Sequence, residues 1–236
     1  MIKLLDILEN KILVPRRSKE ERQKNHLIAA QKKIQQYIKD GSKGDLKLTN
    51  TPITSLPNNL EKVGGDLKLN NKITSLPDNL KKVGGDLNLR YAEITSLPDN
   101  LQVGGYLNLT DTPITSLPDN LKVKGNLFLT NTKITSLPNN LQVGGRLYLT
   151  NTKITSLPDN LQVGGDLGLA NTKITSLPDN LKIKGNLDLE DTPITTLPDN
   201  LQVGGDLDLS DTPISKKYSE EEIRKMVLGV KGKIFI

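Results

Sequence analysis

Four of the seven aromatic residues in this 236-residue chain, Tyr91, Tyr106, Phe128 and Tyr148, lie within one short stretch, and two guanidinium groups, Arg90 and Arg146, stand beside them. Aromatic rings bury large areas at modest entropic cost, and arginine stacks on rings or pairs with carboxylates, so this set suits the docking of another macromolecule. Asn108 and Asn126, interleaved with the rings, add amide donors and acceptors. A second set is acidic: Asp166, Asp188, Glu190, Asp191, Asp206, Asp208 and Asp211. Packed side by side they would repel one another, and a solvated acidic face is the plain reading, because no calcium-loop motif surrounds them. A third set is basic: Arg16, Arg17, Arg22, Lys32 and Lys33 could contact phosphate, or simply solubilise a helix.

Covalent catalysis finds little support. The chain has no cysteine and a single histidine, His26, so the usual nucleophile and base pairs and a two-histidine metal site are missing. The Gly-Gly pairs do not sit in a phosphate-loop pattern of the G-x-x-x-x-G-K type. The expectation is a protein that is not an enzyme and needs no cofactor or metal.

Net charge is +5, but its distribution is uneven. Residues 1–43 hold eleven basic against five acidic residues, residues 44–214 fifteen against nineteen, and residues 215–236 six against three. Hydrophobic residues are 35% and aromatics 3% of the chain, with no tryptophan, so any core is built of Leu, Ile and Val. No apolar run approaches the ~18 residues of a membrane span, and Lys3, Asp6, Glu9 and Lys11 interrupt what would be a signal-peptide core. A cytoplasmic location, with no signal peptide, is the expectation.

The elements that must position these residues are set by a repeat. Ile53, Ile73, Ile94, Ile114, Ile134, Ile154, Ile174, Ile194 and Ile214 recur every twenty residues, with one step of twenty-one. Around them runs a unit of the form V-G-G-D-L-x-L-x-x-T-x-I-T-S-L-P-D-N-L. In Leu107-Asn108-Leu109 the leucines alternate with period two, which predicts a short strand with both leucines on one face. The return path through Pro118, Asp119 and Asn120 is expected to be extended or a 3₁₀ turn, because proline lacks a backbone donor and Asp and Asn favour turns. Gly-Gly supplies a tight corner. Twenty residues cannot bury their own apolar set, so each copy must stack on the next.

The core L-x-L-x-x-T-x-I, as in Leu107 to Ile114, resembles the leucine-rich repeat, with Thr in place of the usual Asn. The resemblance spans residues 44–214 in nine copies and extends to short leucine-rich-repeat proteins of bacteria and their phages, which implies the cytoplasm of a bacterium or of a phage-infected host cell. It implies a right-handed α/β solenoid with a concave parallel sheet that binds a macromolecular partner. The recurring Thr112, Thr132 and Thr152 predict a buried hydroxyl ladder between coils. Ala92 breaks that column, and the interval from Leu69 to Ile73 is one residue short, so Asn71 is the expected stand-in and the sheet should be irregular over residues 70–94.

The ends read as caps. Ser18 and Glu21 have capping-box spacing, and Leu27, Ala30, Ile34, Tyr37 and Ile38 share one helical face over residues 18–39. A shorter helix is expected over Ile2 to Leu13, stopped by Pro15. Together they make residues 1–43 a basic helical N-terminal cap. Residues 215–236 should form a C-terminal cap: a helix begun by Ser219 and Glu222, then a strand from Val230 to Ile236.

Internal copies allow comparison without homologues. Positions identical in all nine serve the stack; positions that vary are free for other work. The outward strand positions vary most and carry Tyr106, Asn108, Asn126, Phe128, Arg146 and Tyr148, with Arg90 and Tyr91 adjacent. The expected function is protein binding on the concave face. Two alternatives stand beside it: a phage or bacterial structural or packaging component, and nucleic-acid binding through the basic N-terminal helices.

Overall fold

The computed structural model describes residues 18–236. The helix expected over Ile2 to Leu13, and Pro15, Arg16 and Arg17, lie outside the described residues. From Gly44 onward the chain winds in coils, and the first leucine of each pair opens a two-residue strand, as in Leu107–Asn108 and Leu127–Phe128. With Ile234–Phe235 at the end, these nine strands make a parallel ten-stranded sheet in chain order. Leu87, Leu107, Leu127 and Leu147 are successive partners in it, and Leu107 N–H donates to Asn126 O at 2.9 Å. Both leucines of each pair are buried, as are the isoleucines that follow. They form one continuous core running the length of the stack.

The return path is extended and pairs as well. Lys or Gln followed by Val or Ile, as in Gln102–Val103 and Lys122–Val123, builds a second, nine-stranded parallel sheet. Only one side chain of each pair is buried, so this sheet is read from alternation over two residues, too short a pattern to announce itself in sequence.

Glycine between the sheets answers to crowding rather than to backbone conformation. Neither Gly84 nor Gly85 has positive φ, but a Cβ on Gly84 would collide with Gly64 O, and one on Gly85 with Asp66 Oδ1. The corner is tight because neighbouring coils touch through it.

The threonine column differs from the expected ladder. Thr112, Thr132 and Thr192 are buried, but each hydroxyl donates to the carbonyl three residues earlier in its own coil, as Thr112 Oγ1 does to Leu109 O at 2.6 Å. They clasp the turn and do not link coils. In the short coil Asn70, not Asn71, takes over: its Nδ2 donates to Thr51 O and Ile53 O at 2.8 and 3.0 Å. Ala92 simply fills its place, 2% exposed. The sheet stays in register through this region, Leu46 opposite Leu67 and Leu67 opposite Leu87, because the missing residue is absorbed in the turn.

A helix, Lys19–Lys39, precedes the first coil, with the Ser18 and Glu21 capping box formed. Ala30 and Ile34 enter the core, and Leu27, Tyr37 and Ile38 pack against it. The Tyr37 hydroxyl donates to Gly44 O at 2.8 Å and accepts from Gly64 N–H at 3.1 Å. At the other end, helices Pro213–Lys217 and Glu220–Met226 are followed by two strands where one was expected. Gly229–Val230 extends the second sheet and Ile234–Phe235 the first, so the chain's last residues complete one more coil.

Candidate functional site

The first sheet's outward face is ordered by acceptor side chains. At the position before each leucine pair, an Asp or Asn oxygen accepts the backbone N–H of the same position one coil later. Asp45 serves Asp66 at 3.0 Å, Asp66 serves Asp86 at 2.9 Å, and Asp86 serves Tyr106 at 2.9 Å. Asn126 serves Arg146, Asp166 serves Asn186, Asn186 serves Asp206, and Asp206 serves Lys233. Donation from the Asp66 amide is the chief reason the Asp45 carboxyl titrates below its ordinary range, with Lys47 adding to it.

Two coils break this side-chain ladder. Tyr106 and Arg146 occupy it and carry no acceptor that could serve the next coil. Among the described residues, no protein acceptor reaches Asn126 N–H or Asp166 N–H.

The position between the leucines has its own rule. Asn88, Asn108, Asp188 and Asp208 each accept the N–H two residues ahead, as Asn108 Oδ1 does from Thr110 at 3.0 Å. This is an Asx turn, in which a short polar side chain holds the following backbone. Phe128 and Tyr148, like Lys47, Lys68 and Gly168, stand in the same column and cannot make it. A third rule governs the turn beyond the strand, where Asp111, Asn131, Asn151, Asn171, Asp191 and Asp211 all have φ between 54° and 60°. Tyr91 sits there too, with φ 61°, in a left-handed conformation that disfavours bulky residues.

These exceptions assemble. Tyr106 meets Phe128 edge to face, ring centroids 6.2 Å apart, and Phe128 stacks on Tyr148 at 5.3 Å with an interplanar angle of 10°. Arg146 Nη1 donates to the Tyr148 hydroxyl at 3.3 Å, and its Nε lies 3.0 Å from Asp166 Oδ2. Arg90 covers the Tyr91 ring at 4.5 Å and pairs with Asp111 at 3.6 Å. A shallow depression opens between Lys68, Asn88, Arg90, Tyr91 and Tyr106. Tyr106, Phe128 and Tyr148 are half-buried, outside the core, while Tyr91 is 55% exposed. Asn126 belongs to the acceptor ladder and Asn108 to the Asx turns, so these two have structural work beside any contact they make.

The acidic set is largely accounted for by the same rules. Asp166 and Asp206 are ladder acceptors, Asp188 and Asp208 hold Asx turns, and Asp191 and Asp211 occupy left-handed turns. Glu190 alone has no such part. Burial, then the neighbouring Asp188 and Asp208, push its carboxyl up; burial likewise raises Asp188. Among the described residues, no group of three or more His, Asp or Glu could hold a metal ion. Of the basic set, Arg22, Lys32 and Lys33 are exposed on the N-terminal helix, but Lys33 Nζ donates to Lys47 O at 2.6 Å and so also ties that helix to the first strand.

Sequence reasoning missed the acceptor ladder, although its signal was present: Asp or Asn at one strand position in seven of nine copies. It read Asp166 as part of the acidic set and not as the partner of Arg146, and gave no part to Gly168, buried under the Tyr148 ring.

Parallel coils of about twenty residues, each strand opened by a buried leucine pair, define a leucine-rich-repeat solenoid protein. No protein-family model matches the sequence, and no curated protein matches it. Among solved structures the chain is similar to a Shigella effector leucine-rich-repeat domain, at 17% identity over 89% of each chain with a TM-score of 0.48. It is also similar to YopM, a leucine-rich effector protein from Yersinia pestis, at 19% identity over 82% of this chain and 66% of that one, TM-score 0.42. A leucine-rich-repeat protein of Leptospira interrogans matches at 19% identity over 79% of this chain and 83% of that one, TM-score 0.29. No helix among the described residues is long and apolar enough to cross a membrane.

Proposed function

We propose that the chain is a protein-binding module whose docking surface is the outward face of the first sheet, centred on Arg90, Tyr91, Tyr106, Phe128, Arg146 and Tyr148. One observation carries this reading: Tyr106 and Arg146 in the ladder column, and Tyr91 in the left-handed turn, stand where the other copies place Asp or Asn for the backbone's benefit, and each forgoes that benefit, while Phe128 and Tyr148 fill the column in which four copies make Asx turns. Sites that break a local rule without a structural return are where function is expected. Cross-strand aromatic contacts do return some stability, roughly 0.5 to 1.5 kcal/mol per pair. That return does not reach Tyr91, which touches none of the other rings, or Arg146, which lies on an exposed ion pair worth about 0 to 1 kcal/mol.

The chemistry of the surface favours a protein partner with an apolar or aromatic anchor, seated on the Tyr106–Phe128–Tyr148 line and flanked by a carboxylate that Arg90 or Arg146 can take. Nucleic acid is the weaker reading here, since Arg90 and Arg146 already hold Asp111 and Asp166. Affinity capture with the wild-type chain and with Tyr106→Ala/Phe128→Ala/Tyr148→Ala, compared by mass spectrometry, tests this reading. A specific protein retained by the first and lost by the second is the expected result. Equal recovery from both removes the surface from consideration.

A further inference from the structure

The second sheet carries a groove of its own, on a different face from the aromatic cluster. It runs from Gly44 past Gly64, Gly84, Gly104 and Gly144 to Gln162, across seven successive coils. Glycine backbone and the buried Val63, Val83, Val103, Val123 and Val143 line its floor, and its wall is the exposed side chain of each short strand. That side chain is Lys62, Lys82, Gln102, Lys122, Gln142 or Gln162, and is nowhere in these six coils acidic or apolar. Lys43 and Lys124 add two more ammonium groups.

These lysines differ from the basic residues of the first sheet in one respect. Lys47, Lys68, Arg90 and Arg146 each have a carboxylate within 4 Å. Among the described residues, Lys43, Lys62, Lys82, Lys122 and Lys124 have none. The nearest acids along the chain, Asp40, Asp45, Glu61 and the turn residues Asp78 and Asp119, do not pair with them, and no carboxylate lines the groove. The repeat therefore maintains a column of long donors, exposed and without partners, that the stack does not use.

We propose that this groove binds an extended, acidic polypeptide segment. Charge complementarity sets the sign of the ligand. The geometry sets its form: six intervals of ~4.8 Å make about 29 Å, the length of roughly nine residues of extended chain at ~3.3 Å each. The wall chemistry selects peptide over nucleic acid. Gln102, Gln142 and Gln162 offer amides that both donate and accept, matching the carbonyls and N–H groups of a peptide backbone between its carboxylates. No aromatic residue lines the groove, so nothing there could stack with bases, the contact on which single-strand binding otherwise depends.

The test uses the full chain and a fluorescein-labelled decapeptide of alternating Glu and Ser, read by anisotropy, with a labelled oligothymidylate in parallel. Lys62→Gln/Lys82→Gln/Lys122→Gln places in three coils the residue that already stands in Gln102, Gln142 and Gln162, so the fold is retained and circular dichroism verifies it. Peptide binding is expected to weaken by about tenfold or more in this variant, and by less than about twofold in Lys47→Gln/Lys68→Gln, which removes charge from the first sheet. Tyr106→Ala/Phe128→Ala/Tyr148→Ala should leave it unchanged, which separates this groove from the aromatic surface. The proposal is overturned by absence of peptide binding, by equal loss in the two lysine variants, or by tighter binding of oligothymidylate that disappears with the triple substitution.

Discussion

The Tyr148 ring lies across Gly168: a Cβ built on that glycine would stand 3.0 Å from Tyr148 Cδ1. Gly168 is directly opposite Tyr148 in the sheet, and beside it Ala170, also outward, is buried. Gly168 thus makes the bed in which the last ring of the aromatic line rests, with Phe128 stacked on that ring as well. The ring is positioned by what its neighbour lacks.

Gly168→Asn tests that relationship. Asn occupies the same column at Asn88 and Asn108, so the strand accepts it, but its side chain needs the space the Tyr148 ring now fills. The stack with Phe128 should be lost, seen as a reduced near-ultraviolet circular dichroism signal from tyrosine. Global stability should fall by only about 0.5 to 1.5 kcal/mol, the worth of the lost stack, because the core is untouched. Retention of the captured partner should fall. An unaltered near-ultraviolet spectrum would show that the glycine does not set the ring.

Tyr91 supplies a prediction of opposite sign. Every other left-handed turn of this column is held by Asn or Asp, whose short polar side chains tolerate positive φ. Tyr91→Asn relieves that strain and gives up only an exposed contact with Arg90, worth roughly 0.5 to 1 kcal/mol. A net gain of about 0.5 kcal/mol, or a midpoint higher by about 1 to 2 °C in thermal unfolding, is expected, together with weaker partner capture. A variant that is both less stable and equally good at binding would mean that Tyr91 serves the fold.

How much of this could be read in the chain follows from how each feature is encoded. The leucine pairs and isoleucines recur with a fixed period, so the parallel coils and their core were legible from spacing alone, as was the Ser18 and Glu21 cap. Those features depend on residue type at a position. The second sheet was not legible, because two residues such as Gln102 and Val103 are too few to show alternation. The role of Gly84 was read as a corner when it is a point of contact, since crowding by Gly64 is a relation between coils that a single strip of sequence does not display. The aromatic line was found because Tyr106 and Phe128 depart from their columns. What made the departure informative, the acceptor each displaces, required hydrogen bonds to be seen.

The acidic end of the first sheet yields a pH dependence. Burial raises the Asp188 carboxyl above its ordinary 3.8, and the facing Asp208 adds to the effect. A raised carboxyl means that the folded chain binds the proton more tightly than the unfolded chain does. Ionised Asp188 therefore costs stability at neutral pH, and that cost disappears as pH falls through the raised value towards the unfolded one. Asp188→Asn keeps the oxygen that accepts Glu190 N–H and removes the charge. The variant should unfold at a higher temperature than wild type at pH 7, with the two converging below about pH 4. A difference that persists unchanged into acid would assign the gain to something other than ionisation.

The two glycines of each corner should differ in what they tolerate. At the first, a Cβ on Gly104 would meet Gly84 O, but Lys124 and Lys184 already stand where other coils have glycine, so the backbone there can shift to admit a side chain at some cost. The second is glycine in every coil from Gly44 to Gly232. A Cβ on Gly105 would collide with Asp86 Oδ1, the oxygen that accepts Tyr106 N–H. Gly105→Ala therefore crowds the coil contact, at roughly 1 to 3 kcal/mol, and dislodges a charged acceptor, at roughly 1.5 to 3 more. Partial relaxation should leave a loss of about 3 kcal/mol in urea unfolding, against about 1 to 2 kcal/mol for Gly104→Lys, which crowds the coil contact but displaces no acceptor. Because Tyr106 is held at its backbone by the same oxygen, Gly105→Ala should also weaken partner capture, whereas Gly104→Lys should not. Equal losses at the two glycines would mean that the acceptor ladder does not explain why the second position is invariant within this chain.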